Sequence, residues 1–339
     1  MATFSASAVA VDFDLLDLAP LAAAETYGAT PTSLGLLIGG VTTQIFGSGF
    51  VFGAPGLPTG GVIERIVVGG DAGTFYDIQG LAIPAQSFRA WVLAGDNSTV
   101  KAALFAGSDL MNGSAFGDRL RAFDGDDTLH GGGGDDVLDG GPGADHLFGG
   151  PGDDTLTDPG GANYLRGGDG DDVIVGGADF DDINGNMGDD TASGGPGDDW
   201  VVGGKDNDRL FGDDGDDLVY GNLGDDTLDG GAGNDILRGG QGNDSLMGGP
   251  GDDFVSGDRG DDTMTGGAGA DLFHSSSDAG MDRVLDFSVA EGDRVLLDAG
   301  TTYTLTQIGS DTVITMSAAQ VVLVGVSMST LIEGSIVVG

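Results

Sequence analysis

The sequence predicts a mostly β chain built round a solenoid of stacked parallel strands. Two observations predict it. From Gly113 to His274, 162 residues divide into 18 nonapeptides with no insertion or deletion, so every unit must stack on its neighbours in constant phase. The eighth position of the nine is apolar in all of them, from Leu120 to Phe273. One such residue cannot hold a fold, but a column of them can when strands stack about 4.8 Å apart.

The other positions follow. Position one is Gly except at Ala122 and Asp158, and position four is Gly except at Phe116, Asp179 and Asp206. Gly at fixed offsets marks turns that need positive φ or close backbone approach. Each unit is therefore a six-residue turn followed by a three-residue strand. Position six is Asp throughout, with Asn163 the one exception. Stacked turns bring these carboxylates within several ångströms of one another, where like charges repel. A cation between the turns removes the repulsion. Asp with turn carbonyls is a hard, flexible, all-oxygen donor set, which suits Ca²⁺ better than Mg²⁺ or Zn²⁺. The composition agrees: of 55 acidic residues only four are Glu, and 38 of the Asp residues lie in the repeats against seven Lys or Arg. A merely solubilising surface would use Glu freely.

The recurring Gly-Gly-x-Gly-x-Asp-x-apolar-x, as in Gly149–Thr157 and Gly239–Met247, resembles the RTX (hemolysin-type, repeats-in-toxin) calcium-binding nonapeptide. The resemblance covers about half the chain. It implies a right-handed parallel β-roll of two nonapeptides per coil, nine coils here, with Ca²⁺ between successive coils. It also implies that repeat n shares an ion with repeat n + 2, for at most 16 ions. The candidate ligands are Asp127, Asp136, Asp145, Asp154, Asp172, Asp181, Asp190, Asp199, Asp208, Asp217, Asp226, Asp235, Asp244, Asp253, Asp262 and Asp271, with carbonyls of the preceding turn. Repeats Gly113–Arg121 and Ala122–His130 are degenerate and read as an edge. Asp158–Arg166, with Asp-Pro for Gly-Gly and Asn163 for Asp, and Gly176–Asn184, with Asp179 and Phe180 in its turn, lie in the same alternate row, which is expected to be interrupted there.

Three segments result: 1–112, an α+β cap or interaction domain; 113–274, the roll; and 275–339, a β cap. In the first, Leu34–Ile38 and Thr42–Phe46 read as strands and Phe50–Pro58 as a loop. Val62–Val68 and Thr74–Leu81 form a hairpin. Pro84 is expected to open a helix to about Ala94, and Asp96 or Asn97 to cap a second over Ser98–Ala106. After a polar linker, Ser275–Asp282, short strands are expected at Val284–Phe287, Arg294–Leu297, Tyr303–Ile308, Thr312–Met316 and Val321–Val326, with a turn at Gly309-Ser310. Asp282–Phe287 and Glu291–Leu297 resemble the C-terminal flank of RTX exoproteins, where the type I secretion signal lies.

A formal charge of −43 argues against nucleic acid, which needs a basic face. No Cys is present, so disulfides and thiolate metal sites are excluded. No apolar run is long enough for a transmembrane segment. No Sec-type leader is read, since the first basic residue is Arg65 and Asp12, Asp14 and Asp17 interrupt the only early apolar stretch. The resemblance instead implies export by the type I secretion apparatus and folding outside the cell. Catalytic motifs are missing: there is no His-Glu-x-x-His or Gly-x-Ser-x-Gly, and the three His residues (His130, His146, His274) all lie in the repeats. The expectation is a secreted, non-catalytic Ca²⁺-binding repeat protein. The alternatives are an adhesin or surface-layer component that self-associates, and an exoenzyme with an unrecognised catalytic segment at 1–112.

Overall fold

The computed structural model describes residues 105–339 throughout and, before them, the backbone of strands at 3–6, 25–30, 33–38, 41–52, 58–70 and 73–84. The described chain is β structure apart from one turn of 3-10 helix at Met328–Thr330. No helix among the described residues is long and apolar enough to cross a membrane. Two compact units divide at Asp158/Pro159, where the Asp-Pro pair interrupts the Gly-Gly turn.

In the second unit the nonapeptide becomes a half-coil. Strands Tyr164–Asp169, Asp182–Met187, Trp200–Lys205, Leu218–Leu223, Ile236–Gln241 and Phe254–Arg259 form one parallel sheet, with every residue opposite the residue 18 further on. The intervening strands, including Thr191–Pro196, Arg209–Asp214, Thr227–Ala232, Ser245–Pro250 and Thr263–Ala268, form a second parallel sheet in the same register. Two nonapeptides therefore make one coil. These strands continue from position seven through the next repeat's position three, six residues rather than the three the periodicity predicts, whereas Val173–Val175 keeps the predicted three. The extension uses turn residues that the Gly spacing marks as non-strand. They pair because successive turns are translations of one another.

The position-eight side chains fill the space between the sheets. Leu165, Ile183, Val201, Leu210, Val219, Leu237, Val255 and Met264 are fully buried, and alternation sends positions seven and nine outward. The linker expected at Ser275–Asp282 is a further corner of the roll. Met264 pairs with Val284 and Phe273 with Val295, so one more coil follows His274 with small corner insertions. Gln320–Leu323 adds in parallel to Met281–Val284, and antiparallel strands Asp311–Thr315 and Thr304–Ile308 finish that sheet. Ile336–Val338 adds to Arg294–Leu297 on the other.

The first unit repeats the pattern with Leu110–Asn112, Thr128–His130 and His146–Pro151 on one sheet and Arg119–Arg121, Val137–Asp139 and Thr155–Thr157 on the other. Strand Thr3–Ala6 pairs in parallel with Leu110–Asn112 and antiparallel with Gly73–Pro84. It thus covers an edge that a solenoid cannot leave open. The expected strands around residues 34–46 and the hairpin of 62–81 are present as longer antiparallel partners. Pro84 is the last residue of a strand, opposite Val62, at a strand end where a missing N–H is tolerated. The stretch expected as a loop at Phe50–Pro58 begins as strand, which runs to Phe52. The helices expected over 84–94 and 98–106 otherwise lie outside the described residues, except that Phe105 and Ala106 are not helical.

The contrast between positions gives a stability test. Leu237→Ala removes a fully buried side chain and is expected to cost about 2–5 kcal/mol. Its neighbour Ile236, 38% exposed, should cost under about 1 kcal/mol as Ala. Denaturant unfolding of both variants in saturating calcium checks this.

Candidate metal centre

Position six is an aspartate buried in every repeat, at 0–3% exposure from Asp118 to Asp271, with Asn163 at 3% in its place. Burying a carboxylate is costly unless its oxygens are satisfied. One oxygen is. Oδ1 of Asp217 accepts the N–H of Asp199 at 2.7 Å, Asp235 that of Asp217 at 2.9 Å, and Asp253 that of Asp235 at 2.8 Å. The same bond recurs up both columns, always across 18 residues.

The other oxygen is not. In Asp127, Asp136, Asp181, Asp190, Asp199, Asp208, Asp217, Asp226, Asp235, Asp244, Asp253, Asp262 and Asp271, Oδ2 is buried without a hydrogen-bond donor. Where the repeat opens with Gly, this oxygen faces the α-carbon of that residue; the repeat of Asp127 opens with Ala122 instead. A methyl on Gly212 would run into both Asp217 Oδ2 and the carbonyl oxygen of Gly230, one coil on. A methyl on Gly221 would run into Asp226 Oδ2 and come within 2.6 Å of the Gly239 carbonyl. Position one is Gly for this reason, since its missing side chain leaves a cradle lined by a carboxylate oxygen and a main-chain oxygen. Two acceptors facing one space fit a cation, and oxygen donors from carboxylate and carbonyl fit Ca²⁺. Among the described residues no three acidic or histidine side chains converge on one point, so main-chain oxygens must supply much of the coordination. At Gly140 the cradle differs, with the Asp158 carboxylate joining that of Asp145.

Asn163 shows what the cradle needs. Its N–H bonds Asp181 Oδ1 at 2.9 Å like any other member of the column. Its amide Nδ2 donates to the carbonyls of Gly161 at 2.9 Å and of Gly176 at 3.4 Å. Gly176 stands to Asn163 as Gly230 stands to Asp217. Where the carboxylate is replaced by an amide, the chain provides its own positive end for that carbonyl.

The structure brings all 16 predicted aspartates to these equivalent places, and adds residues that the nonapeptide count omits. Asp109 precedes the first repeat, and its N–H bonds Asp127 Oδ1 at 2.6 Å. Past the last repeat, Asp282 and Asp293 continue the columns, accepting the N–H of Asp262 at 3.5 Å and of Asp271 at 3.1 Å. Their second oxygens are already satisfied: Ser275 Oγ donates to Asp282 Oδ2 at 2.8 Å and the Ser288 N–H to Asp293 Oδ2 at 2.7 Å. These two carboxylates stand in the column with both oxygens hydrogen-bonded by the chain. The twice-written Asp-Arg-Val-Leu at 282–285 and 293–296 is the signal that locates them. A second ladder also escaped the sequence reading. Position five, Asp or Asn in most repeats, is exposed. Its side-chain oxygen takes the N–H of the position-five residue one coil on, as Asp198 does from Asp216 at 3.0 Å and Asn234 from Asp252 at 3.0 Å.

Burial raises the pKa values of the column. Desolvation lifts Asp208 to about 8, with the Asp190 and Asp226 carboxylates adding repulsion. It lifts Asp136, Asp217 and Asp253 to about 7 and Asp235 and Asp271 to about 6. The folded, ion-free chain thus binds protons that the unfolded chain, with ordinary Asp near 3.8, releases. Its stability rises as pH falls from about 8 toward 4. Ion binding needs the charged form and runs the other way. Calcium affinity should fall progressively between pH 8 and 6, with protons released on binding, and calorimetry in buffers of different ionisation enthalpy measures both. Asp217→Asn, which keeps the Asp199 bond and removes the charge, and Gly212→Ala, which fills the cradle, should each raise the calcium midpoint. Asp217→Ala should cost a further ~1–3 kcal/mol, because the buried Asp199 N–H loses its acceptor.

The family model for the RTX calcium-binding nonapeptide repeat matches in overlapping copies over residues 105–156 and 160–280. The AlgE6R3 subunit of the Azotobacter vinelandii mannuronan C5-epimerase, in its solution structure, is 28% identical over 36% of this chain and 80% of its own, with a TM-score of 0.28. The extracellular lipase LipA of Serratia marcescens is 20% identical over 69% of this chain, with a TM-score of 0.30, and this chain spans 38% of the lipase's length. No curated protein matches. With the family model covering half its length, and a buried carboxylate facing a Gly cradle in repeat after repeat, the chain belongs to the RTX family of calcium-binding nonapeptide-repeat proteins.

Proposed function

We propose that the chain is a secreted calcium-binding protein whose roll folds when it meets extracellular calcium, and that it carries no catalysis. The carrying observation is the column of buried carboxylate oxygens without donors, filled at Asn163 by the chain's own amide. Calcium bound there supplies the positive charge that lets these carboxylates stay ionised in a dry interior. The residues do the rest. Position-six Oδ1 joins each coil to the one before, Oδ2 and the Gly carbonyl present the cradle, and position eight packs the core. Without neutralisation the repeats hold 38 Asp against seven Lys or Arg, a composition that stays disordered. Extracellular-type sites bind at roughly 10⁻⁴–10⁻³ M, so the same chain stays unfolded in a cytosol and fit for export. At free calcium about tenfold above Kd each site contributes about 1.4 kcal/mol.

The non-catalytic reading has a structural argument beside the missing motifs. Ser256, His274 and Asp298 lie in a row, with Ser256 Oγ 3.1 Å from His274 Nδ1 and His274 Nε2 3.3 Å from Asp298. But Ser256 is fully buried and its hydroxyl bonds Asp258 at 2.9 Å, which leaves no accessible nucleophile. The self-associating alternative keeps one observation in its favour: Trp200, Leu218, Ile236, Phe254 and Leu272 stand in register at position seven of one sheet.

Far-UV circular dichroism during a calcium titration tests the proposal, with magnesium as control. A cooperative gain of β structure between roughly 0.1 and a few mM, absent with magnesium, is expected. A β spectrum indifferent to chelator would sink it. Light scattering at millimolar calcium separates a monomer from an assembling surface component, and a hydrolase panel on the full chain checks the absence of catalysis.

A further inference from the structure

The second unit carries an open groove that the calcium chemistry does not use. It runs along the roll axis on the sheet containing Trp200–Lys205, where the chain bends from position nine to position three. Two cavities of about 560 Å³ each lie along it and share Asn222 and Leu223. Its wall is a register row, Asp169, Met187, Lys205, Leu223, Gln241 and Arg259, each opposite the next. Five steps of coil spacing make the row about 24 Å long. We propose that this groove binds an extended neutral glycan, one sugar ring to a coil.

Three features select that ligand. First, an extended peptide would bind by adding to a strand, and here the main-chain groups are used in the ladders between coils. Recognition falls to side chains. Second, the two arginines in the groove are already compensated, while Lys205 has Met187 Sδ at 3.4 Å. Arg238 forks onto Asp258 at 2.9 and 2.7 Å, Arg259 lies 3.4 Å from Asp278, and His274 3.3 Å from Asp298. A polyanion would have to break these pairs. The surface instead offers fixed donors and acceptors side by side, supplemented by the amides of Asn186, Asn222 and Gln241. A hydroxyl, which both donates and accepts, answers such a surface. Third, a position-two amide recurs every second coil, at Asn186 and Asn222, and a chain of β-linked six-membered rings advances by about one coil per ring, so that every second ring meets one. The matching groove on the other sheet lacks the donors. Asp213, Asp214 and Asp229 line it with Met247 and two prolines, Pro196 and Pro250.

Position two supplies clean variants. Asn186 and Asn222 take positive φ, +84° and +79°, where Gly stands in neighbouring coils, so Asn→Gly removes the amide without backbone strain. The probes are β-linked hexaoses of glucose, xylose and mannose, their disaccharides, and hyaluronan as a carboxylated chain, each titrated by calorimetry against the full chain in saturating calcium. Circular dichroism in calcium confirms that each variant is folded, which keeps this test separate from that of calcium-driven folding. At least one hexaose is expected to bind more tightly than its disaccharide and more tightly than hyaluronan. The variant Asn186→Gly, Asn222→Gly, Gln241→Ala should weaken it by at least about tenfold, the worth of one or two hydrogen bonds. Met247→Gln, on the opposite face, should leave it unchanged. Failure of all the hexaoses to bind, preference for hyaluronan, or full binding by the triple variant overturns the proposal.

Discussion

Everything in the roll depends on one buried carboxylate per nonapeptide. Its two oxygens are in opposite situations. One holds the backbone of the preceding coil in place through a hydrogen bond of 2.6–3.1 Å within the repeats. The other faces a glycine and a carbonyl, with nothing from the chain to neutralise it in most repeats. The stacking bond is made only if the carboxylate is buried, and the buried carboxylate is tolerable only if it is protonated or bound to a cation. Core packing alone is a weak counterweight, since each nonapeptide contributes one apolar side chain. Folding is thereby tied to a solution variable outside the chain.

The glycines belong to the same constraint. In most repeats position one is a Gly whose missing side chain leaves room for the cradle, Ala122 and Asp158 being the exceptions, while position two tolerates Asn or Asp, as at Asn186, Asn222 and Asp258, provided φ is positive. This difference explains why the second Gly of the motif is the more variable. It also explains how polar side chains reach the groove without disturbing the column.

The repeat phase, the inward column and the carboxylate column were legible in the sequence, because each is a strict period in one residue type. What was not legible has a common cause. Asp109, Asp282 and Asp293 play the same part as Asp217, but corner insertions break the count around the latter two, so the period hides them. The position-five ladder was missed because Asp and Asn alternate there and only the oxygen matters. Strands such as Thr128–His130 and Val137–Asp139 have the expected three residues, while the six-residue strands escaped, since their glycine-rich half pairs by translation and not by propensity.

The register of 18 has a consequence for how such a chain can change length. Because each residue pairs with its counterpart one full coil away, removing or duplicating 18 residues leaves every flanking pair in register. Removing nine would move each downstream strand onto the opposite sheet, putting Arg238 and Gln241 where Asp229 and Ala232 now stand. Tandem repeats recombine unequally in whole units of their own period. Here the unit that preserves the surface is twice the unit that the sequence displays, so gains and losses in a lineage should be counted in coils.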